Sequence, residues 1–200
     1  MPANNHDLHG NVPESCPVAL LLIDVINDLE FDGGELLAPQ VLPMAQRIAG
    51  LKRRAKAASI PAIYVNDNFG RWKSDFRKVV HHCLSDGVRG EELARMLAPD
   101  EDDYFVLKPK YSAFYATTLD VLLSYLGTRT LILTGLAGNI CILFSANDAY
   151  LRDFNLCVPA DCTVSNTVEE NLHALEQIHK VLKADLTSST ELDLAALERR

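Results

Sequence analysis

The feature that most constrains this chain is residues 17–24, Pro-Val-Ala-Leu-Leu-Leu-Ile-Asp, an unbroken apolar run closed by an acid. A strand with one wet face alternates apolar and polar side chains. One that does not alternate is covered on both faces, as strands of a parallel sheet are. The run is also far shorter than the roughly 20 apolar residues that span a bilayer. Residues 61–66 (Pro-Ala-Ile-Tyr-Val-Asn), 104–107 (Tyr-Phe-Val-Leu), 130–134 (Thr-Leu-Ile-Leu-Thr) and 156–159 (Leu-Cys-Val-Pro) repeat the pattern, and 184–189 is the candidate for a sixth strand.

Helical periodicity fills the gaps. Over residues 39–58, Val41, Leu42, Ala45, Ile48, Ala49 and Leu51 share a face, and Lys52, Arg53, Arg54 and Lys56 come late, where the helix dipole favours cations. Shorter helices are expected over 76–84, 90–97 and 117–126, the last opened by Thr117 or Thr118 as its cap. Residues 139–153, 168–182 and 192–200 complete the set. Strand and helix in alternation imply an α/β domain, a parallel sheet with helices on both faces. Residues 17–200 read as that single domain, and residues 1–16 as a polar arm without periodicity.

Composition narrows the function classes. A net charge of −8 argues against a nucleic-acid partner, which needs clustered Lys and Arg. The first residues lack the basic and apolar regions of a secretory leader. The five cysteines are odd in number and contain no Cys-x-x-Cys pair, which disfavours a zinc ribbon or a disulfide framework. Reduced thiols in a cytoplasmic protein are the expectation. No Gly-rich phosphate-cradling motif is present, so a nucleotide-binding domain of flavodoxin type is disfavoured.

Ligands of parallel sheets bind beyond the carboxyl ends of the strands. Three chemically competent residues stand there: Asp24 after the first strand, Lys108 after the third and Cys141 after the fourth, in the first turn of a helix. Singly, each has a bland alternative as loop cap, solvated lysine (Lys110 is an equal rival) or packing thiol. Together they form a nucleophile, a proton acceptor and a stabilising cation. Gly135 and Gly138 bring backbone close to the same place.

Four segments carry a resemblance: Leu-Leu-Ile-Asp24-Val-Ile-Asn27-Asp28, Val-Leu-Lys108-Pro-Lys-Tyr-Ser112-Ala-Phe114-Tyr-Ala-Thr117-Thr-Leu119, Thr-Gly135-Leu-Ala-Gly-Asn-Ile-Cys141 and Ala146-Asn-Asp148-Ala149. In order and spacing they resemble the isochorismatase-like cysteine hydrolases. The resemblance implies a three-layer α-β-α fold with a six-stranded parallel sheet, Rossmann-like, and an Asp24–Lys108–Cys141 triad, Lys108 being selected over Lys110 by its spacing to Ser112-Ala-Phe114. It further implies a cis Leu136–Ala137 peptide, an oxyanion site made by the Ala137 and Cys141 backbone N–H groups, and assembly into dimers or tetramers.

The chain departs from the nicotinamidases of that family. Their metal ligands, an Asp and two His, come after the second strand, where this chain reads Asn66-Asp67-Asn68-Phe69-Gly70-Arg71-Trp72. No metal site is expected, since His81 and His82 are adjacent on a helix and point apart. Asn68, Phe69 and Trp72 are candidates to shape the substrate pocket, with Phe31, Tyr111, Tyr115 and Leu136 beside them. Asn27, Asp28 and Asp148 are expected to stabilise local structure. The expected activity is cleavage of a carbon–nitrogen, amide-type bond in a small molecule, with no cofactor and no nucleic-acid or membrane partner. The alternative is a non-catalytic, small-ligand-binding member of the same fold.

Overall fold

The unalternating run is the centre of the sheet. In a computed structural model describing residues 15–68 and 75–199, it forms β1 (Val18–Ile23), and all six of its residues are fully buried. It pairs in parallel with β2 (Ala62–Asp67) on one side and β4 (Thr130–Leu136) on the other. β3 (Tyr104–Lys108) extends the sheet beyond β2, and β5 (Asn155–Cys157) extends it beyond β4. β6 (Thr163–Val164) pairs with Gly135 and Leu136 at the far end of β4, completing a six-stranded parallel sheet of order β3-β2-β1-β4-β5.

Side-chain alternation along β1 feeds two cores. Val18, Leu20 and Leu22 join a layer that contains Val41, Met44, Ile48 and Leu51 of α1 (Gly34–Ala57), Phe76 and Val79 of α2 (Phe76–Ser85), Leu93 of α3 (Glu91–Met96) and Leu197 of the short α7 (Leu194–Leu197). Ala19, Leu21 and Ile23 face Leu119 and Leu123 of α4 (Leu119–Leu126), Ala146 and Ala149 of α5 (Leu143–Tyr150) and Leu175 and Ile178 of α6 (Val168–Leu182). The result is the three-layer α-β-α arrangement. No helix among the described residues is long and apolar enough to cross a membrane.

Four expectations are corrected. The sixth strand is Thr163–Val164, while the 184–189 segment makes one bridge, Asp185 to Cys157. Two residues carry no periodicity, so β6 left no pattern to read. α1 starts at Gly34, a turn before Pro39. Pro39 and Pro43 stand inside it, on its exposed side. The helix after β4 opens with a π-helical turn, Gly138–Ile142, and α5 begins only at Leu143. At the C-terminus the helix is confined to Leu194–Leu197. Of the expected arm, residues 1–14 lie outside the described residues; Cys16 is buried and its N–H bonds Leu126 O at 2.7 Å.

Candidate active site

Three strand ends bring the chemistry together. Asp24 comes directly after β1 with a left-handed backbone, φ 53°, a conformation that aspartate tolerates better than most residues. Its N–H donates to Val65 O at 2.9 Å, and its Oδ1 accepts the Asp67 N–H at 2.7 Å, so the carboxylate is pinned at the β1–β2 junction. Lys108 ends β3, in register with Asp67 at the end of β2. Its side chain is 0% exposed, which leaves the ammonium to be satisfied by protein groups alone. Nζ lies 2.8 Å from Asp24 Oδ2, 3.2 Å from Lys110 O, 3.4 Å from Cys141 Sγ and 3.7 Å from Asp67 Oδ2. Lys110 itself is exposed.

Cys141 occupies the π-helical turn that joins β4 to α5. Close packing places that turn. Gly135 has φ 118°, and a Cβ there would meet Ile23 O at 2.0 Å. A Cβ on Gly138 would meet Asn171 Oδ1 at 2.1 Å. The Asn139 N–H donates to Ser165 Oγ at 3.0 Å. The Leu136–Ala137 peptide between the two glycines is cis. One helical turn past Cys141, the Ser145 hydroxyl accepts the Ala113 N–H at 2.9 Å, while Ser112 donates to Asp148. These bonds hold the loop after Lys108 against the helix that carries the cysteine.

Burial raises the Cys141 thiol to about 12, with the Asp24 charge adding to it and the Lys108 charge opposing. Burial also raises the Asp24 carboxyl, against the lowering effects of Lys108 and of the hydrogen bond with Cys141. For Lys108, burial pulls the ammonium down, but the Asp24, Cys141 and Asp67 charges outweigh it and leave it raised. Asp24 and Lys108 thus stand at ion-pair distance, 2.8 Å, beside a thiol that burial keeps neutral and that hydrogen-bonds Asp24.

A cavity of about 970 Å³ opens over these groups, lined by Asp24, Asp67, Cys141 and Ala137 among others. Its apolar lining is Leu37, Val79, Leu136 and Ile140, with Phe31 and Tyr111 as the aromatic members. Of the pocket candidates, Phe31, Asn68 and Leu136 line it. Tyr115 does not: its side chain is exposed elsewhere, and Tyr111, packed on Phe144 at 5.5 Å, stands at the cavity instead. Phe69 and Trp72 lie outside the described residues.

Sequence reasoning missed the wall supplied by α2 and the turn before α6, namely Lys78, Val79, His82 and Asn166. His82 Nε2 lies 3.1 Å from Asp28 Oδ2 and its Nδ1 2.7 Å from Asp86 Oδ2, and those two carboxylates, Asp86 foremost, raise its pKa. His81 is exposed, as adjacent helical residues require. The signal was the shared face of Lys78 and His82, four residues apart. Asn27 and Asp28 accept the Leu29 and Glu30 N–H groups, and Asp148 pairs with Arg152. Among the described residues, the one cluster of three metal-type ligands is Asp100, Asp102 and Asp103, which is remote from the cavity and is bridged by Lys52 and Lys56.

Residues 18–191 match the isochorismatase domain. The chain belongs to the isochorismatase family. It is 42% identical over 174 residues to the uncharacterized isochorismatase family protein YaaI of Bacillus subtilis, covering 87% of this chain and 95% of that one. It is 31% identical over 169 residues to the ureidoacrylate amidohydrolase RutB of Methylorubrum extorquens, covering 72% and 68%. The crystal structure of N-carbamoylsarcosine amidase from Thermoplasma acidophilum superposes with a TM-score of 0.70 at 26% identity, over 88% of this chain and 98% of that one.

Proposed function

We propose that this isochorismatase-family protein is a cysteine hydrolase that cleaves a small carboxamide or related carbon–nitrogen bond through a thioester on Cys141. The observation that carries the reading is the contact of one ammonium with both a carboxylate and a thiol, Lys108 Nζ at 2.8 Å from Asp24 and 3.4 Å from Cys141, at a substrate-sized cavity. The amidohydrolase and amidase among its relatives point the same way.

Asp24 accepts the thiol proton as sulfur attacks the carbonyl carbon. Its raised pKa makes it a stronger base than an ordinary carboxylate, while Lys108 keeps it in place. The Ala137 and Cys141 N–H groups receive the oxyanion, each donor worth about 3–4 kcal/mol. Asp24 then passes the proton to the departing nitrogen as the carbon–nitrogen bond breaks, and water cleaves the thioester. No step calls for a cofactor. Leu37, Val79, Leu136 and Ile140 suit an apolar or planar substrate portion. The test is release of ammonia or amine from a panel of small amides, including ureido and N-carbamoyl compounds, with Cys141→Ala as control. Turnover by Cys141→Ala at the parent rate removes the thioester route.

A further inference from the structure

Two carboxylates share the Lys108 ammonium, and they differ in what they can reach. Asp24 is dry: its side chain is 6% exposed, Oδ1 is taken by the Asp67 N–H at 2.7 Å, and Oδ2 by Lys108 at 2.8 Å. Asp67 is wet: its side chain is 32% exposed and lines the same cavity as Cys141 and Ala137. Its backbone is fixed opposite Lys108 in the β2–β3 register with its N–H on Asp24, and its Oδ2 lies 3.7 Å from Lys108 Nζ, a looser pairing than that of Asp24. Carboxylates in such unlike surroundings take unlike roles in one reaction.

We propose that Asp67 is a second catalytic carboxylate, the base that deprotonates the water which hydrolyses the Cys141 thioester. This rests on the thioester reading of the site. Asp24 is suited to a proton that arrives on the sulfur it hydrogen-bonds. The water of the second step must enter from the cavity, which both carboxylates line, and of the two paired with Lys108 it is Asp67 that is open to solvent there, at 32% exposure against 6%. One water proton passes to Asp67 as the water oxygen bonds the acyl carbon. The carbon–sulfur bond then breaks, the carboxylic acid leaves, and the proton returns from Asp67 to the Cys141 sulfur. Water adds across the thioester with no other reactant.

p-Nitrophenyl acetate separates the steps without knowledge of the natural amide, because its phenolate departs without needing a proton. The parent should give a stoichiometric burst and then a steady rate. In Asp67→Asn the burst should persist while the steady rate falls about 10²-fold, the usual worth of a general base. An acetyl group should accumulate on Cys141 by mass spectrometry. Hydroxylamine, which attacks thioesters without a base, should restore turnover. A structural role would lower burst and turnover together and would not be rescued. Should Asp67→Asn fail to fold, Asp67→Glu, with its charge moved by one methylene, gives the same reading: burst kept and turnover slowed supports the role. Turnover equal to the parent's in the folded variant overturns this inference alone. Absence of an acetyl adduct on Cys141 in the parent overturns the thioester reading as well.

Discussion

Replacing Lys108 by methionine removes one charge from a site where all the neighbouring atoms are fixed. The Lys108 side chain is 0% exposed and the Asp24 side chain 6%. Without the ammonium, Asp24 either keeps its charge unpaired or takes up a proton. Stranding one partner of a buried pair costs about 3–5 kcal/mol. Protonating a carboxylate of ordinary pKa, about 3.9, at pH 7 costs about 1.4 kcal/mol for each of roughly 3 pH units, or about 4 kcal/mol. The two routes cost about the same, so Lys108→Met should lose about 4 kcal/mol at pH 7. By the protonation route the folded variant binds a proton that its unfolded chain does not. Its stability must therefore fall as pH rises, and the deficit against the parent should shrink to about 1.5 kcal/mol at pH 5. Urea unfolding of parent and variant at both pH values measures this. The double variant Asp24→Asn/Lys108→Met, which holds no buried charge at these positions, should recover most of the loss. A deficit that is the same at both pH values, with a double variant no more stable than the sum of the single changes, would refute the ion-pair argument.

Since burial pushes the Cys141 thiol to about 12, its alkylation by iodoacetamide, mapped by mass spectrometry, should climb with pH from about 6 to about 9 without a plateau; a plateau near neutrality would mean a standing thiolate. His82, raised by Asp86 and Asp28, contributes stability that is complete below the ordinary histidine pKa near 6.5 and is lost as pH rises through its higher folded value. In melts across that window His82→Gln should show a flatter pH dependence than the parent, and equal slopes would dismiss the pairing. Gly135→Ala sets a Cβ 2.0 Å from Ile23 O at φ 118°, which should cost about 3 kcal/mol or more; a melting temperature close to the parent's would show that β1 and β4 can part there.

What the chain discloses in advance is what its periodicity encodes. β1 to β4 and α6 are long enough for burial to stamp a pattern, and α6 adds a reciprocal cap between Thr167 and Glu170. β6 is two residues long and stamps none. Pro39 resembles a helix start because proline suits a first turn, yet the exposed side of α1 accommodates it well inside. The same division runs through the site. Asp24, Lys108 and Cys141 are found by looking at the carboxyl ends of strands, since the sheet converges those ends. Lys78, Val79 and His82 come from a helix beside the sheet, and which face α2 turns to the cavity is decided by tertiary packing. Tyr111 and Tyr115 lie in one loop, and nothing in their spacing says which of them turns inward.

A thiol raised to about 12 looks at first like a poor nucleophile, and the arrangement of charges explains why it need not be. Lys108 carries the only buried positive charge touching Cys141 among the described residues, and Asp24 already holds it at 2.8 Å. Losing the thiol proton to bulk water would leave three anions, Asp24, Asp67 and the thiolate, around one cation. Passing it to Asp24 instead keeps the net charge of the set unchanged, and burial, which raises the Asp24 carboxyl as it raises the thiol, makes Asp24 a better acceptor than an ordinary carboxylate. The proton transfer is then cheap only while the attack on carbon consumes the developing negative charge. Such a site spares a stray electrophile that arrives without a well-placed carbonyl and reacts with one held against the Ala137 and Cys141 N–H groups. Selectivity in this reading comes from where the proton is allowed to go, which is why removing Lys108 should disturb the chemistry and the fold through the same carboxylate.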